Sequence, residues 1–125
     1  MARTDFTAKI KESSKELDKR MQLKLTNTGS AVKLDKAVSI DEHLTIVPTG
    51  WAIVDVHNEN ARDDKDYTQY IVMTDEQNYI TGSNSFWNSF INIFETMDGE
   101  PFELDIYKMP SKNYEGKTFL TCDIV

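Results

Sequence analysis

One segment with apolar residues at helical spacing, flanked on both sides by strand-like segments, is the feature that most constrains the fold of this chain. Ser83 or Asn84 can cap the helix, and the glycine and proline of 98–101 can end it. Its apolar side chains recur at helical spacing, and they are Phe86, Phe90, Ile93, Phe94 and Met97. One such helix among many short β-rich segments predicts a mainly β protein.

The β-rich segments have the order of a known small barrel. They are 44–56, 67–73, 79–81, 102–108 and 117–125, with the helix between the third and the fourth. The sequence 48–50 either bends one long first strand or separates two strands. This order predicts a five-stranded barrel like the oligonucleotide/oligosaccharide-binding (OB) fold. A small α+β sheet with the helix packed on one face is the alternative.

The first 40 residues form a basic extension in this interpretation. Between Thr4 and Met21 apolar residues recur at helical spacing, and Thr4 or Asp5 can cap the helix. We therefore predict a helical extension over 1–40 and an OB-fold-like domain over 41–125. Of the net charge of −7, the nine basic and five acidic residues of 1–40 contribute +4, so 41–125 carries −11. Such asymmetry favours contact with a polyanion, a basic partner or a second copy.

Length and cysteine content narrow the class of protein. A chain of 125 residues can bury one hydrophobic core without metal ions or disulfides. The one cysteine, Cys122, excludes an internal disulfide and fits a reducing compartment, so we predict a cytoplasmic protein. No stretch approaches the roughly 18 apolar residues of a membrane span, so no membrane is expected among the partners.

Signals for catalysis are few. His43 and His57 are the two histidines, and neither has a partner at metal-ligand spacing. Cys122 falls on the predicted core side of the last strand, where a small buried side chain is the usual interpretation. The acidic loop 57–66 lacks the glycine and the terminal glutamate of a calcium loop. We therefore predict a protein that is not an enzyme and that uses no metal and no cofactor.

Signals for binding nucleic acid are stronger. Single-stranded nucleic acid needs exposed aromatic rings for its bases and cationic or amide groups for its phosphates. The candidates are Trp51, Tyr70, Tyr79, Tyr107, Lys108, Lys112, Asn113, Tyr114, Lys117 and Phe119. Three of the five basic residues after position 40 lie within 108–117. Packing in the core is the alternative role for each of the aromatic residues.

Several segments resemble a known family. Tyr70–Met73, Tyr79–Ser83, Ser89–Phe90, Pro110–Asn113 and Gly116–Cys122 are similar to segments of phage-type single-stranded DNA-binding proteins. The resemblance spans roughly 44–125 and implies an OB-fold barrel that protects intermediates of replication or recombination. It also implies stacking roles for Tyr79, Tyr107, Tyr114 and Phe119, and phosphate contacts by Lys108, Lys112 and Lys117.

Three functions follow as expectations. The first is a single-stranded DNA-binding protein of phage or mobile-element origin, whose further partners are a host or phage replication protein and a second copy. The second is a small acidic inhibitor of a host nucleic-acid enzyme or defence system, with the −11 domain imitating DNA. The third is a phage assembly protein that oligomerises through the predicted helix 4–21.

Overall fold

Strands make up most of the regular structure of this protein. The computed structural model describes residues 6–26, 31–39, 42–58, 66–110 and 117–125. In chain order its elements are β1 (Phe6–Ser13), α1 (Lys19–Thr26), β2 (Val32–Lys33), α2 (Leu34–Ala37), β3 (Leu44–Ile46), β4 (Gly50–Asn58), β5 (Asp66–Met73), β6 (Asn78–Thr81), α3 (Asn84–Met97), β7 (Leu104–Pro110) and β8 (Thr118–Ile124).

The chain divides into two compact units, each built from two separate segments. Unit 1 consists of Met1–Val32 and Gly50–Gly82, and unit 2 consists of Lys33–Thr49 and Ser83–Val125. The boundary predicted after residue 40, which rests on charge, falls within the first segment of unit 2.

Unit 1 is a five-stranded sheet with one helix on its apolar face. The strand order is β1-β4-β5-β6-β2. Side chains alternate along β4, so Ala52, Val54 and Val56 are buried on one face. Ile71 lies opposite Ala52, and Leu25 of α1 completes this core. Gly50 is also buried, and an added Cβ there would lie 2.5 Å from the terminal methyl of Met73.

The predicted helix over 4–21 is wrong for residues 6–18, and only 19–21 of its described residues are helical. Residues Phe6–Ser13 form β1 and pair antiparallel with β4, so that Ala8 lies opposite Val56. The spacing of four between Phe6 and Ile10 fits a period of two as well as a period of 3.6, and pairing with β4 decides between them. The helix begins only at Lys19, where the carboxylate of Asp18 accepts a hydrogen bond from the Met21 backbone N–H at 2.8 Å.

Unit 2 is a three-stranded sheet with α3 packed against β8. The strand order is β3-β7-β8, with both pairs antiparallel. The Ser85 hydroxyl at the start of α3 donates to the Leu120 carbonyl at 2.9 Å, and the Cys122 Sγ lies 3.8 Å from the Phe86 carbonyl oxygen. Leu104 and Ile106 of β7 are fully buried. The α+β alternative, a small sheet with a helix on one face, therefore describes this unit.

The sequence prediction of α3 is confirmed. Ser83 caps the helix, because its hydroxyl accepts a hydrogen bond from the Phe86 N–H at 3.2 Å. The helix ends at Met97, after which Asp98 and Gly99 have φ of 46° and 88°. The Phe90 ring is fully buried, and its centroid lies 5.9, 5.2 and 5.6 Å from those of Phe86, Trp87 and Phe94. Among the described residues, no helix is long and apolar enough to cross a membrane.

The mainly β class is confirmed, but the described strands form two sheets and no closed barrel. The predicted first strand is divided, since β3 pairs with β7 whereas β4 pairs with β1 and β5. Pro48 lies between them and has no N–H to donate, which ends a ladder of hydrogen bonds. The two halves therefore belong to different sheets. Neighbouring strands of the chain form two antiparallel pairs, since β5 pairs with β6 and β7 pairs with β8.

Candidate nucleic-acid interface

One face of the sheet in unit 2 is turned away from the buried side chains. Along β7, Leu104 and Ile106 are buried, so the residues between them point to the opposite side. We call this side the open face, and its side chains are Thr45, Asp105, Tyr107, Met109, Phe119, Thr121 and Asp123. None of these side chains is fully buried.

Tyr107 and Phe119 lie on the open face as diagonal neighbours. Tyr107 is opposite Thr121, and Met109 is opposite Phe119. Met109 and Phe119 are 43% and 37% exposed, and Tyr107 is half-buried. Diagonal neighbours in an antiparallel pair are about 7–8 Å apart. The structure therefore brings two of the predicted stacking residues onto one accessible surface, with the flexible thioether of Met109 beside them.

His43 adds a third ring that sequence reasoning missed. Its ring stacks on that of Tyr107, with centroids 4.9 Å apart and planes 18° from parallel. The Nδ1 atom lies 2.8 and 3.0 Å from the two carboxylate oxygens of Asp105, which fixes the orientation of the imidazole. His43 is 62 positions from Asp105 along the chain, so only the β3–β7 pairing brings the two together.

Charge is ordered along the open face. Asp105 and Asp123 lie opposite each other at one end of the β7–β8 pair. Tyr107 is in the middle, and Lys117 directly precedes β8 at the other end, two residues from Phe119. The aromatic side chains thus lie between an acidic end and a basic end.

Lys108 is placed on the other face of the sheet. It lies opposite the buried Leu120, and its ammonium group donates to the backbone carbonyl of Asp35 at 2.8 Å. This bond ties β7 to α2, and α2 contains the fully buried Leu34. The structure therefore does not bring the Lys108 ammonium group together with the ring of Tyr107.

The three predicted aromatic residues of unit 1 share one face of its sheet. Trp51 lies opposite Val72, and Val72 lies opposite Tyr79. Tyr70 is two residues from Val72 along β5, so its side chain points to the same face. Trp51 and Tyr70 are half-buried, but Tyr79 is only 6% exposed. The Tyr79 hydroxyl accepts a hydrogen bond from the Gln77 amide at 2.7 Å. Packing is thus the role that the structure gives Tyr79.

The remaining predicted residues, Lys112, Asn113 and Tyr114, lie outside the described residues. They belong to the connection between β7 and β8, the two strands that carry Tyr107 and Phe119.

Unit 1 also holds a histidine paired with a carboxylate. The Nδ1 atom of His57 lies 2.6 Å from Oδ1 of Asp66, across the β4–β5 pair. A carboxylate in this position orients an imidazole ring. Within the described part of the chain, no group of three or more histidine, cysteine, aspartate or glutamate side chains has the arrangement of a metal site.

Cys122 is buried, and its chemistry follows from that. Burial first, and the nearby charge of Asp123 second, raise the pKa of the thiol from its ordinary value of 9.0 to about 12. Because only the thiolate is nucleophilic, we expect no reaction of the folded protein with Ellman's reagent at about pH 8, where a free thiol is partly ionised. The urea-unfolded protein is the control and should react fully. Equal rates for the two forms would contradict this burial.

The same pKa predicts how stability changes at high pH. The folded thiol ionises at about 12 and the unfolded thiol near its ordinary value of 9.0, so the unfolded state loses its proton first. The contribution of Cys122 to stability is therefore complete below pH 9 and is lost as the pH rises from there toward 12.

Comparison with known proteins identifies no family. The sequence matches no protein-family model, and neither a curated protein nor a solved structure matches the chain. The case for a function therefore rests on the residues of the open face and their chemistry.

Proposed function

We propose that this chain is a non-enzymatic single-stranded DNA-binding protein that uses the open face of unit 2. The single observation that carries the proposal is the pair of accessible rings, Tyr107 and Phe119, on one sheet face with Lys117 at its end. An origin in a phage or mobile element is part of this proposal, and it rests on the resemblance of sequence segments to phage-type single-stranded DNA-binding proteins. Replication or recombination in the bacterial cytoplasm is then the process that it serves.

The chemistry of stacking explains why these side chains suit a single strand. Unpaired bases present flat apolar faces, and stacking on an aromatic side chain contributes about 1–3 kcal/mol per base without selecting the sequence. His43 extends the ring surface of Tyr107, so the open face offers stacking area at His43, Tyr107 and Phe119. Bases in a duplex are already stacked on each other, so this surface favours single strands.

The order of charge along the open face indicates where the phosphate backbone of a bound strand lies. Phosphates are repelled by the carboxylates of Asp105 and Asp123 and attracted by Lys117. We therefore place the phosphate backbone toward the β8 end that carries Lys117, with the bases over Tyr107 and Phe119. A local basic end of this kind is compatible with the charge of −11 over 41–125, because screening limits the reach of distant charges to about 10 Å at 0.1 M salt.

The proposal does not require a barrel. Stacking needs side chains that alternate out of a sheet at fixed spacing, and the β7–β8 pair supplies these. The fully buried Leu104 and Ile106 on the opposite face hold these strands in place. An OB-fold arrangement of the strands is thus one way, and a three-stranded sheet another, to present the same surface.

A salt-dependent titration tests this function. We expect a fluorescein-labelled oligothymidine of about 20 nucleotides to bind at low salt, since single-strand sites span roughly 4–16 nucleotides. Raising the salt tenfold, from about 20 to 200 mM, should weaken binding about 5- to 25-fold if one or two phosphates are contacted. Fluorescence anisotropy measures both affinities, with a duplex of the same length as the control. Absence of binding at low salt, or an affinity that does not change with salt concentration, would reject the proposal.

The acidic end of the open face favours a second candidate, an inhibitor whose carboxylates imitate DNA phosphates. Asp105 and Asp123 face each other across the β7–β8 pair, and 41–125 carries −11. Such a protein binds the DNA site of a nucleic-acid enzyme, so DNA competes with it. Capture of one nuclease or other nucleic-acid enzyme from DNA-free host lysate, together with failure to bind oligothymidine, would favour this candidate.

A further inference from the structure

A groove lies along the edge strand of unit 1, between β1 and α1. Among the described residues β1 is the outermost strand of its sheet, beyond β4. The groove has a volume of about 490 Å³, with Ala8 and Ile10 of β1 on one side and Lys19 and Leu23 of α1 on the other. It does not include any residue of the open face.

Leu23 is the apolar side chain that this groove leaves in solvent. It is 70% exposed, whereas Leu25 of the same helix is buried in the core. Its neighbours in the groove already have partners, since the Gln22 amide donates to the Leu17 carbonyl and the Thr26 hydroxyl donates to the Gln22 carbonyl. Leu23 and Lys19 are therefore the α1 side chains that we expect to contact a bound segment.

The backbone of β1 offers the complementary half of a binding site. In an edge strand, alternate N–H and C=O groups point away from the neighbouring strand and can pair with an added strand. A strand placed beside Ala8 and Ile10 would direct every second side chain toward α1, where Leu23 lies. The side chains between them would point to the other face, next to Lys9, which lies opposite Asp55 on β4.

We infer that this edge binds an extended acidic segment of a partner protein, which adds to the sheet as a strand beside β1. Toward α1, apolar residues of the segment cover Leu23 and the aliphatic chain of Lys19, and on the other face its carboxylates lie near Lys9. Both lysines line the groove, and none of the residues described as lining it is acidic. The partner is thus recognised by alternating apolar and acidic residues.

Charge also argues against a second copy of this chain as the occupant. Antiparallel pairing of two β1 strands centred on Ile10 would bring Lys9 of each copy close to Lys11 of the other, and like charges at such positions destabilise a sheet. A β-bulge between Ile10 and Glu12 further confines regular pairing to the first part of β1. A short acidic strand fits both constraints.

Model peptides test this inference without DNA. We expect a fluorescein-labelled octapeptide of alternating glutamate and valine to bind saturably, with amide shifts in ¹H–¹⁵N spectra centred on β1 and α1. The control is the matched octapeptide of alternating lysine and valine, which should not bind. Lack of saturation by the acidic peptide at roughly 2 mM, beyond which affinity is negligible, would overturn the inference.

Three variants locate the site. Leu23→Asp and Lys9→Glu should each weaken binding of the acidic peptide by about tenfold or more. Lys24→Glu makes the same charge change at an exposed position of α1 that does not line the groove, so it should have a much smaller effect. Circular dichroism confirms that each variant is folded. Equal peptide affinities for Leu23→Asp and the parent would overturn the inference.

Two further measurements separate this site from the other proposals. Leu23→Asp should leave the affinity for oligothymidine unchanged, because Leu23 is not one of the residues of the open face. Sedimentation of the parent protein should show a monomer. A dimer that the Leu23→Asp variant lacks would overturn the assignment to an acidic partner and identify a second copy as the occupant.

Discussion

Replacement of both Tyr107 and Phe119 by alanine should weaken binding of oligothymidine by at least about 30-fold, which corresponds to about 2 kcal/mol. Each ring offers one stacking contact of about 1–3 kcal/mol, and the two lie on the same face of the β7–β8 pair. The anisotropy titration at low salt measures the loss. The single variants should each show part of it, and Tyr107→Phe should bind nearly as the parent does, because the ring remains.

The matched control for this loss is Tyr67→Ala. Tyr67 is 36% exposed, similar to Phe119, but it lies on β5 of unit 1 and not on the open face. Its removal should change the affinity for oligothymidine little. A double variant at Tyr107 and Phe119 that is folded and still binds like the parent would refute the open face as the interface. The fold of each variant is checked by urea unfolding.

Replacement of Phe90 by alanine should lower the free energy of unfolding by about 3–5 kcal/mol. The ring is fully buried and packs against Phe86, Trp87 and Phe94, so the substitution removes apolar contacts and leaves a cavity inside unit 2. Since whole domains are stable by only about 5–15 kcal/mol, this is a large share. The urea midpoint should fall by about 1 M or more, given slopes of 1–3 kcal/mol per M.

Phe119→Ala provides the same chemical change at a surface position of the same unit. Phe119 is 37% exposed, so its replacement removes fewer buried contacts and leaves a smaller cavity than replacement of Phe90. We expect less than half of the loss of stability. If both variants lost the same free energy of unfolding, Phe119 would be a core residue, and its role in the open face would have to be abandoned.

Local patterns predicted the elements whose period is unambiguous. The five apolar positions of α3 fit a helix and no strand, and Ser83 is a strong cap, so both the helix and its start were predictable. The strict alternation of Leu104 and Ile106 with polar neighbours likewise predicted β7 and the side on which Tyr107 lies. The outward position of Phe119 followed from the same argument for β8.

Pairing between distant segments was not predictable from local patterns. Ile10 lies four residues after Phe6, a spacing that suits either period, and its strand exists because β4 pairs with it. The same is true of His43, which becomes part of the open face only when β3 pairs with β7. The hydrogen bond of Lys108 to the Asp35 carbonyl joins residues 73 positions apart, so its orientation could not be read from the sequence.

The interleaving of the two units affects how a nascent chain can fold. Unit 1 is complete once Gly82 has left the ribosome, whereas residues Lys33–Thr49 must wait for the segment that begins at Ser83. During that interval β3 has no β7 to pair with, so its backbone groups and the side chain of Ile46 remain open to other contacts. No single cleavage of the finished chain can release either unit intact. During synthesis all residues of unit 1 are therefore present while unit 2 still lacks its second segment.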